Sequence, residues 1–275
     1  MTDGVSIRLG RLFDAASNRS FIVAFDHGMS LPLDPALGNP VRLLERIAAG
    51  NPDGILLNKG MLAQAGHVFA RRGAPVPVLR ADWTPLDAAM KQEQGEAHRF
   101  VTTPAEALAL GAGAVCTFLI GRPRAAGMYY DNVASLAGYI EGAHRAGLPV
   151  IVECTLWGLR NEDQKDPVLL AQVCRTAAEL GADAVKTEYV GDRRAEEKII
   201  ACVGNIPVLT LGGAKGDDDA VARAAAEAIG SGARGLIFGR NVWQADDIDG
   251  RLETFSRITH SGRPSRRIES ERGES

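Results

Sequence analysis

Short runs rich in Val, Ile and Leu recur roughly every thirty residues along this chain, separated by longer stretches of mixed polarity. They are Phe21 to Asp26, Gly54 to Lys59, Pro77 to Asp82, Ala114 to Ile120, Val150 to Thr155, Asp183 to Glu188, Pro207 to Leu211 and Gly235 to Phe238. Such continuous apolar runs predict strands buried on both faces, and eight of them with helices between is the pattern of a closed parallel barrel. Two connecting helices have readable ends. Thr103, Pro104 and Glu106 form a capping box whose helix stops at Gly111. Asp166 and Pro167 open a second, with Leu169, Val173, Ala177 and Leu180 on one buried face before Gly181 ends it. Ahead of the first strand, Leu9, Leu12, Phe13 and Ala16 keep helical spacing and predict a short amphipathic helix plugging the N-terminal end of the barrel. After His260 the chain is charged, with Ile268 as its one large apolar residue, too little to offset the entropy of ordering. The expectation is an α/β protein, a single (β/α)8 TIM barrel over residues 1–260 with an N-terminal capping helix, and a flexible polar tail over 261–275.

Composition agrees with an α/β enzyme of one large domain: 275 residues, 45% apolar, 31 glycines and 5% aromatics. Thirty-one Lys plus Arg against 34 Asp plus Glu give a formal charge of -3 without a basic stripe, which argues against nucleic acid as partner. No apolar stretch reaches the ~20 residues of a membrane span, and MTDGVSIRLG lacks the layout of a secretory signal, so a cytoplasmic protein is expected. Cys116, Cys154, Cys174 and Cys202 lie in apolar segments without CxxC spacing and fit reduced thiols. The five histidines are scattered, none paired at metal-ligand spacing.

In such barrels the site forms at the C-terminal ends of the strands, so polar residues closing apolar runs are the ones that matter. Asp26, Lys59, Arg80 with Asp82, Glu153 with Thr155, and Lys186 with Glu188 are of this kind. Pleating puts each i, i+2 pair on one face, and one choice of face aims them all at the barrel axis. Two readings stay open: a structural ion-pair network, since buried charges need partners, or a converging site. A lysine there becomes a carbonyl nucleophile only if its amine is partly neutral near pH 7, well below the reference ~10.4, and burial and a second cation push that way. Lys59 and Lys186 supply such a pair, with Asp26 and Glu153 moving protons. A protonated imine then draws electrons from the neighbouring carbon–carbon bond, the chemistry of a cofactor-free aldolase. The loops LGGAKG and FGRN, after the last two strands, carry glycines that let backbone N–H groups approach an anion. Gly212, Gly213, Lys215, Gly239 and Arg240 are the expected phosphate site.

VAFDHGMS, GILLNKGML, ELGADAVKTEYVGD, LTLGGAKG and GLIFGRNVWQADD together resemble the DhnA-type (archaeal-type) class I fructose-bisphosphate aldolases. That family also includes aminodideoxyheptulosonate synthases and the phospho-dione thiolase of autoinducer-2 breakdown. The likeness runs from about Phe21 to Phe255. It implies that Lys186 is the Schiff-base lysine, that Asp26 is an acid/base residue at the imine, that the GGAK and GRN loops hold the substrate phosphate, and that the protein is a homo-oligomer. One position departs: where the aldolases and heptulosonate synthases of the family usually place an acid/base tyrosine after strand five, this chain reads VIVECTLWGLRNED, with Thr155 there. Either Glu153, Tyr189 or Trp157 reshapes the site, or the reaction differs from aldol cleavage of fructose bisphosphate. His27, Arg80 and Asp82 complete the expected substrate-binding set with Trp157 and Tyr189.

Three functions follow for comparison. The first is a class I aldolase acting on a phosphorylated ketose through an imine on Lys186, with no cofactor. The second is a thiolase-like or transaldolase-like transfer on a phosphorylated ketone with the same lysine. The third is a metal-dependent or non-catalytic sugar-phosphate-binding barrel in which Asp26, Asp82 and Glu153 hold Mg²⁺ or salt-bridge the lysines.

Overall fold

The computed structural model describes residues 3–31, 37–158, 160 and 163–261. In chain order the elements are α1 (Asp3–Leu12), β1 (Ser20–Phe25), α2 (Pro40–Ala49), β2 (Gly54–Leu57), α3 (Lys59–Gln64), β3 (Val76–Arg80), β4 (Asp82–Trp83), α4 (Ala88–Gln94), β5 (Arg99–Phe100), α5 (Pro104–Ala109) and β6 (Ala114–Ile120). They continue as α6 (Ala126–Arg145), β7 (Val150–Thr155), α7 (Pro167–Glu179), β8 (Ala184–Glu188), α8 (Arg193–Cys202), β9 (Val208–Leu211), α9 (Asp218–Gly230), β10 (Gly235–Phe238), α10 (Arg240–Trp243) and α11 (Ile248–Thr259). Eight strands close into a barrel in the order β1-β10-β9-β8-β7-β6-β3-β2, every neighbour parallel. This is the expected (β/α)8 TIM barrel. The strands β4 and β5 form a small antiparallel pair outside it.

Three strands stop short of the polar residue expected to close them. β1 ends at Phe25, before Asp26, and β2 ends at Leu57 because α3 begins at Lys59. β3 ends at Arg80: the Ala81 N–H still donates to the Cys116 carbonyl, but the Ala81 carbonyl accepts from Val101 and Thr102, which pulls Asp82 into the outer pair. The helix ends follow local chemistry. Thr103 Oγ1 accepts from the Glu106 N–H at 3.2 Å, and Asp166 accepts from Val168 and Leu169. Only half of the capping box is used as such, since the Glu106 carboxylate pairs with Lys59 at 3.1 Å. Gly181, at φ +96°, ends the α7 turn in the left-handed region that favours glycine.

The outer core lies between strands and helices, and a second, inner cluster fills the barrel. Its members Ile22, Ala24, Leu56, Val78, Cys116, Ile151, Ala184, Leu209 and Ile237 alternate with outer-core residues along the strands, and Leu12 of α1 packs among them as the floor. The tail expected over 261–275 falls, beyond Ser261, outside the described residues. No described helix is long and apolar enough to cross a membrane.

Candidate active site

Carrying the inner face one step towards the mouth replaces apolar side chains by charge on β1, β3, β7 and β8 and by an amide on β2. Ile22 and Ala24 lead to Asp26, Leu56 to Asn58, Val78 to Arg80, Ile151 to Glu153 and Ala184 to Lys186. Glu153 and Lys186 are register partners on β7 and β8, and Phe118 is the partner of Glu153 on β6. The Lys186 Nζ lies 2.8 Å from Glu153 Oε1. The other Glu153 oxygen accepts from Arg80, whose Nε donates to Asp26 Oδ2 at 2.8 Å and whose Nη1 lies 3.6 Å from Asp82 Oδ1. Three carboxylates therefore converge on one guanidinium, which stacks over the Phe118 ring at 3.9 Å. Asp82 in turn accepts from His98 Nε2 at 2.7 Å, and Asn58 donates to the Asp26 carbonyl at 2.6 Å.

These groups are buried: Arg80 is 3% exposed, Glu153 2% and Lys186 5%. Burial alone would raise the Asp26 carboxyl, but Arg80, with His27 and Lys186, outweighs it and holds the group at about 2. Burial pushes His27 below its ordinary value in spite of Asp26, so the ring is neutral at pH 7. It opens a 3-10 turn, His27–Met29, with Nδ1 3.6 Å from Asp26 Oδ1 and the ring edge-on to Trp243. The cavity these residues enclose, roofed by Met29, Ser30, Leu86 and Trp157, is about 30 Å³, room for roughly one water.

A larger cavity of about 400 Å³ opens beside it, lined by Glu188, Tyr189, Gly212, Gly213, Lys165 and neighbours. Trp157 and Glu188 meet at the boundary, indole Nε1 to Oε1 at 3.3 Å. Asn241 stitches the glycine loop to the last strand's loop, donating to the Gly212 and Ala214 carbonyls at 2.7 and 3.0 Å and accepting from the Gly216 N–H. A Cβ at Gly239 would stand 2.6 Å from the Ala24 carbonyl and 2.8 Å from the His27 ring, so the backbone must pass there bare. Arg240 is half-buried, and its Nε has no hydrogen-bond partner among the described residues. Lys215 reaches across to the Gln244 carbonyl at 2.6 Å.

Of the residues singled out from sequence, Asp26, His27, Arg80, Asp82, Glu153, Trp157 and Lys186 line one cavity. Lys59 does not join them. It is the first residue of α3, and its Nζ donates outward to the Val101 carbonyl and Glu106, so the second cation beside Lys186 is Arg80, through Glu153. Tyr189 lines the larger cavity instead: it follows Glu188 on the opposite side of the pleat, and its hydroxyl donates to Glu227 of α9 at 2.9 Å. Asn58 and Phe118 belong to the lysine cavity and were missed, although strand alternation alone points to each, while Glu188, paired with Lys186 on one face in the sequence, lines the larger cavity. Asp26, Asp82 and Glu153 all face Arg80, with Lys186 also on Glu153 and His98 also on Asp82, so their charge is met by side-chain cations. Among the described residues no group of three or more His, Cys, Asp or Glu could hold a metal ion.

A family model described as DeoC/LacD family aldolase matches residues 20–245. An uncharacterized aldolase of Saccharolobus solfataricus is 30% identical over 263 residues, 94% of each chain. The 2-amino-4,5-dihydroxy-6-oxo-7-(phosphonooxy)heptanoate synthase of Streptomyces griseus is 30% identical over 261 residues, 93% of this chain and 90% of its own. Among solved structures, an archaeal fructose 1,6-bisphosphate aldolase superposes with a TM-score of 0.79 at 25% identity, covering 94% of this chain and 100% of its own. A second archaeal aldolase structure, with its catalytic Lys covalently bound to the carbinolamine intermediate of the substrate, gives 0.78 at 24% identity over 93% and 99%.

Proposed function

Because the chain belongs to the DeoC/LacD family of aldolases and is a class I enzyme working through a lysine imine, we propose that Lys186 is the lysine that forms it. The observation that carries this reading is the enclosure of the Lys186 amine 2.8 Å from Glu153, inside a cavity that also holds Asp26 and His27, while Lys59 faces outward. Glu153 takes a proton from the ammonium so that Nζ attacks the carbonyl carbon of a phosphorylated ketone. A second N–H proton passes from the attacking nitrogen to the alkoxide, the proton held by Glu153 then goes to the resulting carbinolamine hydroxyl, and that group leaves as water to give the iminium. Asp26, ionised at any working pH, steadies the positive charge of the iminium.

A cavity of about 30 Å³ cannot hold a ketone phosphate, so the substrate extends past Trp157 into the larger cavity beside it. Its phosphate rests on the loops of Gly212, Gly213 and Lys215 and of Gly239 and Arg240, where the unpartnered Arg240 Nε offers a charge-assisted contact. The VKTEYVGD, LGGAKG and FGRN segments support the DhnA-type branch of the family, and with it a homo-oligomer; Tyr130 and Val168, 70% and 75% exposed, give such contacts apolar surface. Four free thiols fit a cytoplasmic enzyme. Borohydride reduction in the presence of dihydroxyacetone phosphate tests the assignment: peptide mass spectrometry should find the adduct on Lys186. An adduct confined to another lysine reverses it.

A further inference from the structure

Glu188 lies two residues beyond Lys186 on β8, so pleating turns both side chains to one face, with Glu188 a layer nearer the barrel mouth. The carboxyl is 7% exposed. Its Oε1 accepts from Trp157, which belongs to the lysine cavity, while Glu188 itself lines the glycine-loop cavity. A ketone joined to Lys186 at its carbonyl and resting its phosphate on the glycine loops therefore carries its middle carbons past this carboxyl. Thr155, where the resembling family has an acid/base tyrosine, is fully buried and its Oγ1 has no hydrogen-bond partner among the described residues. A threonine hydroxyl does not ionise near neutral pH and so makes a poor general acid or base. The other carboxyl lining the larger cavity, Asp217, is engaged as the N-cap of α9.

We propose that Glu188 is the acid/base residue of the carbon–carbon bond step, a role that rests on the Lys186 imine. In cleavage the ionised carboxylate takes the proton of the hydroxyl on the carbon beyond the scissile bond. That C–O becomes a carbonyl, the bonding pair shifts into the iminium to give a neutral enamine, and the aldehyde departs. Glu188 then gives its proton to the enamine carbon, restoring iminium and carboxylate, and hydrolysis frees Lys186. Burial lifts the Glu188 carboxyl above its ordinary range, more than the Trp157 hydrogen bond, Lys165 and Lys186 lower it, with Glu153 adding to the rise and Arg240 also facing it.

The second half-step is observable with dihydroxyacetone phosphate alone, as deuterium uptake from heavy water at the hydroxymethyl carbon beside the carbonyl. In Glu188→Gln, borohydride should trap the Lys186 adduct to the wild-type extent while exchange slows ~10²-fold or more. Exchange within about threefold of wild type, with the adduct intact, overturns the role of Glu188 alone. No adduct on Lys186 in the wild type overturns the imine reading instead. Should Glu188→Gln fail to fold, Trp157→Phe decides: it keeps a ring but removes the N–H that favours the carboxylate, so the acid limb of the exchange profile should move to higher pH. A limb that stays in place overturns the proposal.

Discussion

Ile151 and Glu153 stand two residues apart on β7, on the same face and both buried, and belong to different regimes. Ile151 is part of an apolar floor shared by eight strands and α1, where its neighbours are apolar side chains and a lost methyl is a graded loss. Glu153 is in a layer where Asp26, Arg80, Asp82 and Lys186 compensate one another, and removing one member leaves a buried charge short of its partner. The floor contributes stability without chemistry. The charged layer adds little net stability for the number of its ion pairs, because desolvating its ions offsets much of their attraction, and what it adds beyond that is orientation of one amine.

The sharpest way to break this comparison is Lys186→Met, which keeps the volume of the buried stem and removes the amine. Turnover should fall by ~10⁴-fold or more. Glu153 keeps Arg80, so the fold should lose less than the about 3–5 kcal/mol seen when a buried ion loses its last partner. A residual rate above about one per cent of wild type would contradict the division of labour, since no other amine would then be expected to do the work.

Acid titration separates the two layers next. The folded-state pKa of Asp26 is depressed from 3.8 to about 2, so its contribution is complete above the unfolded value and is lost as pH falls from about 4 through about 2. The lowering corresponds to about 2 kcal/mol. Urea midpoints measured between pH 5 and pH 2 should show this loss in wild type and a shallower one in Asp26→Asn. An identical slope in both would mean that Arg80 does not hold the carboxylate.

Strand positions were legible because each barrel strand is one uninterrupted apolar run, and Lys186, Glu153, Arg80 and Asp26 were legible because charge at the end of such a run is conspicuous. Lys59 was ranked by its charge, where its face would have set it aside. With Leu56 facing inward, Asn58 follows inward and Lys59 cannot; with Lys186 inward, Glu188 follows and Tyr189 turns to α9. The same rule admits Phe118 and excludes Lys59. His98 was beyond reach of any local rule, because the short β4–β5 pair, which joins Asp82 to Phe100 and Trp83 to Arg99, brings it to Asp82 from sixteen positions away.

A smaller effect is expected at the rim, where Arg240 has charge but no ion-pair partner of its own to strand. Arg240→Ala should raise KM for a phosphorylated ketone by ~1.5–3 kcal/mol, about ten- to a hundredfold, with kcat and thermal stability little changed. Unphosphorylated dihydroxyacetone serves as the control and should be nearly indifferent. Equal losses for both substrates would move Arg240 from phosphate binding to the support of Glu188, which it faces electrostatically.

The smallest effect belongs to the floor. Ile151 is fully buried and in register with Ala184, directly beneath the Glu153–Lys186 pair. Ile151→Val removes one methylene from a site whose neighbours include Leu12, contributed by α1 rather than by the sheet and therefore free to settle by a small shift of a helix. The cost should be ~0.5–1.5 kcal/mol, read from the urea midpoint at unchanged slope. Borohydride trapping on Lys186 and kcat should stay within a factor of about two, because the position of Glu153 is fixed by two cations and by its ladder partners Phe118 and Lys186 rather than by the side chain below it. A tenfold fall in kcat with only ~1 kcal/mol of destabilisation would mean that packing in the floor sets the angle at which the amine meets Glu153, and the two layers would then have to be treated as one.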